Sequence, residues 1–139
     1  MFGCCVWAEL NPSTIFYTIN RQLSYKCNSQ IHNPHITLDY DIDINNIILS
    51  SYKSKKYNKM GYVYQSQNKN FYSLQQDYLN NDKLYHVSLA YKANKAFTND
   101  DLKFANTLDI PLIIFPNELT INIWNCDSLF TSEWYKYNF

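Results

Sequence analysis

The chain has 139 residues, 46% of them hydrophobic and 17% charged, a balance that favours a packed core over disorder and suits one domain spanning residues 1–139. Net charge is zero, with 12 Lys and Arg against 12 Asp and Glu, which argues against a protein that grips long duplex nucleic acid through many phosphates but suits a small anionic ligand. No apolar run approaches the roughly 20 residues of a membrane span, and Met1–Cys5 lacks a basic stretch ahead of an apolar one, so a soluble cytoplasmic protein is expected.

Cys4–Leu10 reads as a buried strand. Asn11 and Pro12 then supply an N-cap and a first-turn proline. Ile15, Ile19, Leu23 and Cys27 follow at a spacing of four with Phe16 beside them, which predicts an amphipathic helix ending near Cys27-Asn28. Asn33-Pro34 breaks the chain before a strand over Pro34–Tyr40. Asp41 and Asp43 offer caps for a second helix with Ile44, Ile47 and Ile48 on one side, and the basic run Lys53–Lys56 reads as its solvated end. Gly61–Ser66 and Asn70–Gln75 read as a hairpin around Asn68. A polar loop from Asp77 to Lys83 leads into a strand over Leu84–Tyr91. Thr98–Asp101 caps a short helix with Leu102, Ala105 and Leu108 inward. Pro111–Phe115, the alternation of Leu119, Ile121 and Ile123, and Glu133–Phe139 predict three closing strands. Cys4, Cys5, Cys27 and Cys126 have no CxxC spacing, so they read as small buried side chains rather than a zinc site or a disulfide framework.

Two stretches repeat a pattern. His35-Ile36-Thr37-Leu38 and His86-Val87-Ser88-Leu89 are each His, aliphatic, hydroxyl, Leu, and they use two of only three histidines. Positions i and i+2 of a strand share a face. His35 with Thr37, and His86 with Ser88, therefore point one way, while Ile36, Leu38, Val87 and Leu89 point toward a core. His32 lacks the hydroxyl two residues on and reads as a loop residue. The element order gives an α+β chain with antiparallel or mixed sheet. The two motif strands fall in two halves that face each other across a cleft.

A strand, an Asn-Pro-led helix, HITL and later HVSLAY resemble the 2H phosphoesterase superfamily, whose mark is a pair of H-x-[ST] motifs. The resemblance implies a bilobed fold in which two antiparallel or mixed sheets with flanking helices form a central cleft. It implies phosphodiester cleavage without a cofactor. Members act on RNA 2′,3′-cyclic phosphates, on 2′,5′-oligoadenylates or, in phage anti-CBASS nucleases, on cyclic oligonucleotide signals. The motifs here lie closer together than in the LigT-like members, and no helix precedes the second. That compactness favours the small phage and viral branch. So does the abundance of Asn, Ile, Lys and Tyr, residues of A/T-rich codons. The expected partner is then a small cyclic or 2′,5′-linked oligonucleotide in the host cytoplasm.

The residues independently suit this chemistry. Cleaving a phosphodiester requires a base for the attacking oxygen and an acid for the departing one. Histidine serves either role, because its ordinary pKa of about 6.5 leaves both forms accessible. Thr37 and Ser88 hydroxyls can donate to phosphate oxygens where charge builds. No cluster of His, Asp and Glu at ligand spacing calls for a metal. Trp7, Tyr40, Tyr91 and Trp134 are candidates to stack on bases. Lys92 is a weaker candidate for a phosphate, and Glu9 is an unexplained acid on an apolar strand. RNA end processing on a 2′,3′-cyclic phosphate, and a binding module that sequesters a nucleotide uncut, are the alternatives.

Overall fold

The computed structural model describes residues 3–43, 60–67, 73–80, 82–92 and 96–138. β1 (Cys4–Leu10) alternates: Ala8 and Leu10 enter the main core and Val6 is fully buried, while Cys5 and Trp7 belong to a second cluster. α1 (Ile15–Cys27) lays Phe16, Ile19, Asn20, Leu23 and Cys27 on that core. The helix ends at Asn28, which adopts a left-handed conformation and returns its N–H to the Ser24 carbonyl.

The start of α1 differs from expectation. Thr14, not Asn11, is the residue before the first turn. Asn11 instead ties the chain to the far end of the molecule. Its amide donates to the Asn117 carbonyl at 2.9 Å and its side-chain oxygen accepts from the Thr120 hydroxyl at 3.1 Å. Ile15 consequently falls outside the buried stripe and is 48% exposed.

β2 (His35–Ile42) and β5 (Lys83–Tyr91) are the motif strands. β3 (Met60–Gln67) and β4 (Ser73–Asn80) form an antiparallel pair, and β4 turns directly into β5, with Asn80 opposite Lys83. The expected Asp77–Lys83 loop is thus a correction: Asp77 lies within a strand. Leu74, Gln76 and Tyr78 alternate into the core side of β4, and a glutamine in that series masks the period-two signal. α2 (Asn99–Ala105) carries the expected capping box between Thr98 and Asp101. Of the Pro111–Phe115 run only β6 (Ile113–Ile114) pairs as a strand, and Pro116 then starts a 3-10 turn. β7 (Leu119–Asn125) pairs along all of β1, and β8 (Tyr135–Lys136) is a short remnant of the expected closing strand. The second helix expected over Ile44–Ile48 and the basic run Lys53–Lys56 lie outside the described residues. None of the cysteines forms a disulfide. No helix among the described residues is long and apolar enough to cross a membrane.

The class is α+β, as expected. Among the described residues the strands form not two sheets but one, eight antiparallel strands in the order β6-β3-β4-β5-β2-β1-β7-β8. The two halves of four strands meet at the β2–β5 seam, where a single pair, Ile36 with Val87, is in register. Both side chains are fully buried beneath the helices. One face of the sheet is therefore covered by α1 and α2, and the opposite face carries the cleft.

Ile36→Ala is expected to lower the unfolding free energy by about 2–5 kcal/mol through the cavity it leaves at this seam. Ile15→Ala, outside the core, should stay within about 0.5 kcal/mol of the unmodified chain. Denaturant melts of the two variants side by side check both.

Candidate functional site

Counting outward from the Ile36–Val87 pair, His35 stands across from Ser88 and Thr37 across from His86. All four line one cavity of about 650 Å³ on the open face of the sheet. Trp7, Tyr40, Tyr91 and Trp134 line it too, so both motif pairs and all four aromatic candidates reach the same pocket, whereas Lys92 does not. Tyr91 gets there through an irregularity. On β5, Ala90 pairs with Leu74 while Ser88 pairs with Gln75, so one extra residue, Leu89, is inserted. A bulge reverses the facing of everything beyond it. Leu89 and Ala90 both enter the core, and Tyr91 returns to the pocket side.

The two histidines sit in different surroundings. His35 is 4% exposed and lies flat against Trp7, with ring centroids 3.4 Å apart and planes 5° from parallel. Trp7 in turn stacks on Trp124 at 4.6 Å and meets Trp134 edge-on at 5.8 Å. Glu9 is explained by this column. Its carboxylate accepts from the Trp124 indole at 2.7 Å and from the Asn122 amide at 3.2 Å, fixing the outermost ring. Nδ1 of His35 lies 2.7 Å from the Asn33 carbonyl. A carbonyl only accepts, so Nδ1 carries the proton and Nε2 of the neutral ring keeps its lone pair. Burial, then the charge of His32, hold the His35 pKa well below the ordinary histidine value, partly countered by the bond to Asn33. His86 stands at the exposed side of the pocket. Enclosure by protein holds its pKa below the ordinary histidine value, and the charge of Asp77 offsets part of that lowering.

Two substrate-binding assignments change in kind. Trp7 is 1% exposed and sandwiched between His35 and Trp124, so its faces are already occupied and its role is to hold His35. Tyr91 is enclosed and its phenol faces the Ser88 hydroxyl; burial pushes its pKa up to about 12, keeping it a neutral hydrogen-bonding group. Tyr40, 65% exposed at the mouth, and half-buried Trp134 remain placed to meet a base. Lys92 is not available to a phosphate: it pairs with Asp101 at 3.0 Å and lies over the Phe97 ring.

Four contributors were not singled out from sequence: His32, Asn20, Asp77 and Gln75. His32 is in a loop, as expected, but buried. Its Nε2 donates to the Ser88 carbonyl at 2.8 Å, and its Nδ1 accepts from the Asn20 amide at 3.1 Å. The same amide donates to the Leu89 carbonyl at 3.0 Å. Arg21 closes the set, donating to the Asn20 side-chain oxygen and the His32 carbonyl. The signal for Asn20 was present, since it falls on the apolar stripe of α1 between Phe16 and Leu23. Among the described residues no three His, Cys, Asp or Glu side chains gather as a metal site would require. No protein-family model matches the chain, and no curated protein does.

His32 makes stability depend on pH. Burial lowers its pKa from 6.5 to about 4, so the unfolded chain binds the proton more readily. The stabilising effect of the neutral ring is complete above pH 6.5 and is lost as pH falls toward 4. That window should cost about 3 kcal/mol. His32→Gln should be less stable at pH 7 yet lose that much less on acidification, which denaturant melts across the window measure.

Proposed function

We propose that the pocket is the active site of a phosphodiesterase of the 2H kind, acting on small cyclic or 2′,5′-linked oligonucleotides without a metal. The observation that carries this reading is the crossed pairing of the motifs: each histidine stands opposite the hydroxyl of the other motif, and all four side chains line one cavity. A phosphodiester held by Thr37 and Ser88 would lie between two imidazoles on opposite sides, the arrangement that in-line displacement at phosphorus requires. Two sheet halves meeting at one residue pair are compatible with the two lobes of that superfamily.

The lining bears on the size of the substrate. Aromatic rings of Tyr40, Tyr85 and Trp134 offer stacking surfaces, and about 650 Å³ is the scale of a small-ligand site. Among the described lining residues Lys83 is the only lysine or arginine, and Asp39 offsets it. A groove that tracks a long RNA backbone depends on many basic contacts. The near-neutral lining therefore favours a short oligonucleotide over RNA end processing. A role in removing oligonucleotide immune signals in a host cell follows from this substrate class and from the resemblance in sequence.

The test is a panel of cyclic di- and trinucleotides, 2′,5′-oligoadenylate and 2′,3′-cyclic nucleotides, incubated with the protein in EDTA. At least one should be cleaved. His35→Ala and His86→Ala should each lower kcat by about 10²–10⁴-fold, and Thr37→Ala or Ser88→Ala by about 10²–10³-fold. Failure to turn over any member, or activity retained in the double histidine variant, overturns the reading. Tight binding with the ligand recovered intact would point instead to a sequestering module.

A further inference from the structure

The pocket face of β4 places Gln75 across from Ser88 and Asp77 across from His86. Directly opposed side chains on one face lie within interaction distance of each other. Asp77 is only 7% exposed, whereas its neighbour His86 is exposed. A carboxylate held this far from water costs free energy unless it is hydrogen-bonded or faces a cation. Its recorded hydrogen bond is from the Gln75 amide, at 3.3 Å and to one oxygen. The opposed imidazole, when protonated, is the cation that matches it.

His35 has the reverse environment. Its ring is covered by Trp7, its Nδ1 proton is committed to the Asn33 carbonyl, and the nearest titratable ring is another histidine, His32, at 6.0 Å between centroids. In that setting the bond to the Asn33 carbonyl favours a second proton, but burial and the charge of His32 outweigh it. The titratable groups around the pocket near His86 are Asp77 from β4, His35 and Asp39 from β2, and Lys83 and Tyr85 from its own strand. Of these, Asp77 is the carboxylate directly opposite the ring.

We infer that Asp77 is a positioning residue that keeps a proton on His86, making His86 the proton donor and His35 the proton acceptor. The reaction itself rests on the phosphodiesterase reading; the placement of the proton does not. In that reaction Nε2 of His35 takes the proton of the attacking hydroxyl, from water or a ribose, as its oxygen bonds to phosphorus. The bond from phosphorus to the leaving oxygen breaks, and His86 gives that oxygen its proton. Exchange with solvent then returns His35 to neutral and His86 to the protonated form. The surroundings of the two rings act in the same direction: burial disfavours the charged form of both, Asp77 counters it at His86, and at His35 the charges of His32 and His86 add to it and outweigh the bond to Asn33.

Histidine-resolved NMR titration of the unliganded protein decides the assignment without any substrate. His86 should titrate at higher pH than His35, and Asp77→Asn should lower the His86 midpoint by about one unit while leaving His35 in place. Asp77→Glu should restore most of the shift. A His35 midpoint above that of His86, or a His86 midpoint indifferent to Asp77→Asn, overturns the inference. A second measurement separates the roles in turnover. Thymidine 5′-(p-nitrophenyl phosphate) has a leaving group that needs no proton, so His86→Ala and Asp77→Asn should each lose less activity on it than on the cleaved nucleotide, by about tenfold or more for His86→Ala, while His35→Ala falls by about 10²-fold or more on both. The opposite pattern would falsify the assignment. Absence of turnover by the unmodified protein, on this ester and on the nucleotide panel, would count against the phosphodiesterase reading alone and leave the titration to judge the proton.

Discussion

The seam between β2 and β5 is the constraint on which the rest depends. Two strands in register at one pair leave backbone carbonyls of β5 without a ladder partner, and buried carbonyls without partners are costly. Here they are taken up by side chains and by the loop ahead of β2. His32 donates to Ser88, Asn20 donates to Leu89, and the Gln30 N–H donates to Tyr91 at 2.7 Å. Arg21 holds Asn20 and the His32 backbone in turn. Three side chains and one loop thus replace a stretch of sheet. A ladder would have pulled the two motif strands flat against each other. Side-chain bonds hold the two strands at a fixed relation on either side of that single pair.

Rigidity is distributed unevenly across that cleft. His35 is clamped by a stacked indole, a second indole behind it, and a carboxylate that anchors the second. Its ring cannot turn without breaking both the stack and the bond to Asn33. Across from His86 on the next strand stand the polar pair Gln75 and Asp77, and among the described residues no ring is stacked on it. Aromatic packing excludes water and stabilises a neutral ring; a nearby carboxylate stabilises a charged one. Two identical residue types in a repeated motif are therefore given different protonation preferences by what lies across the next strand. The motif alone carries no such distinction.

That contrast marks what the sequence made legible. β1, the buried stripe of α1, both motif strands, the Thr98 capping box and the alternation of β7 follow from local periodicity and capping chemistry, and the structure has them. Features set by distant partners were not readable. Asn11 looked like a helix cap because its chemistry suits one, but Asn117 and Thr120 compete for it successfully from the other end of the chain. Asp77 looked like a loop residue because Asp is disfavoured in strands, and only its pairing partners on β5 explain its place. His32 was set aside for lacking a hydroxyl two residues on, yet its function is to bind the backbone of the other motif. The bulge at Leu89, which brings Tyr91 to the pocket, leaves no mark in the alternation of an almost wholly buried run.

The repeat acquires its meaning from antiparallel pairing. Were the two motifs on parallel neighbouring strands in matched register, His would stand beside His and hydroxyl beside hydroxyl. Both proton-transfer groups would then lie on one side of any bound phosphoryl group. Antiparallel pairing about Ile36 and Val87 turns one motif end for end, so the imidazoles occupy one diagonal and the hydroxyls the other. A displacement at phosphorus brings in one oxygen and expels another on opposite sides, with charge building on the oxygens between them. Under the proposed reading, the crossed diagonals would suit that division of labour, with imidazoles at the two ends of the path and hydroxyls flanking its middle. The fully buried pair at the centre, Ile36 and Val87, contributes nothing to the pocket surface and fixes which residues can reach it.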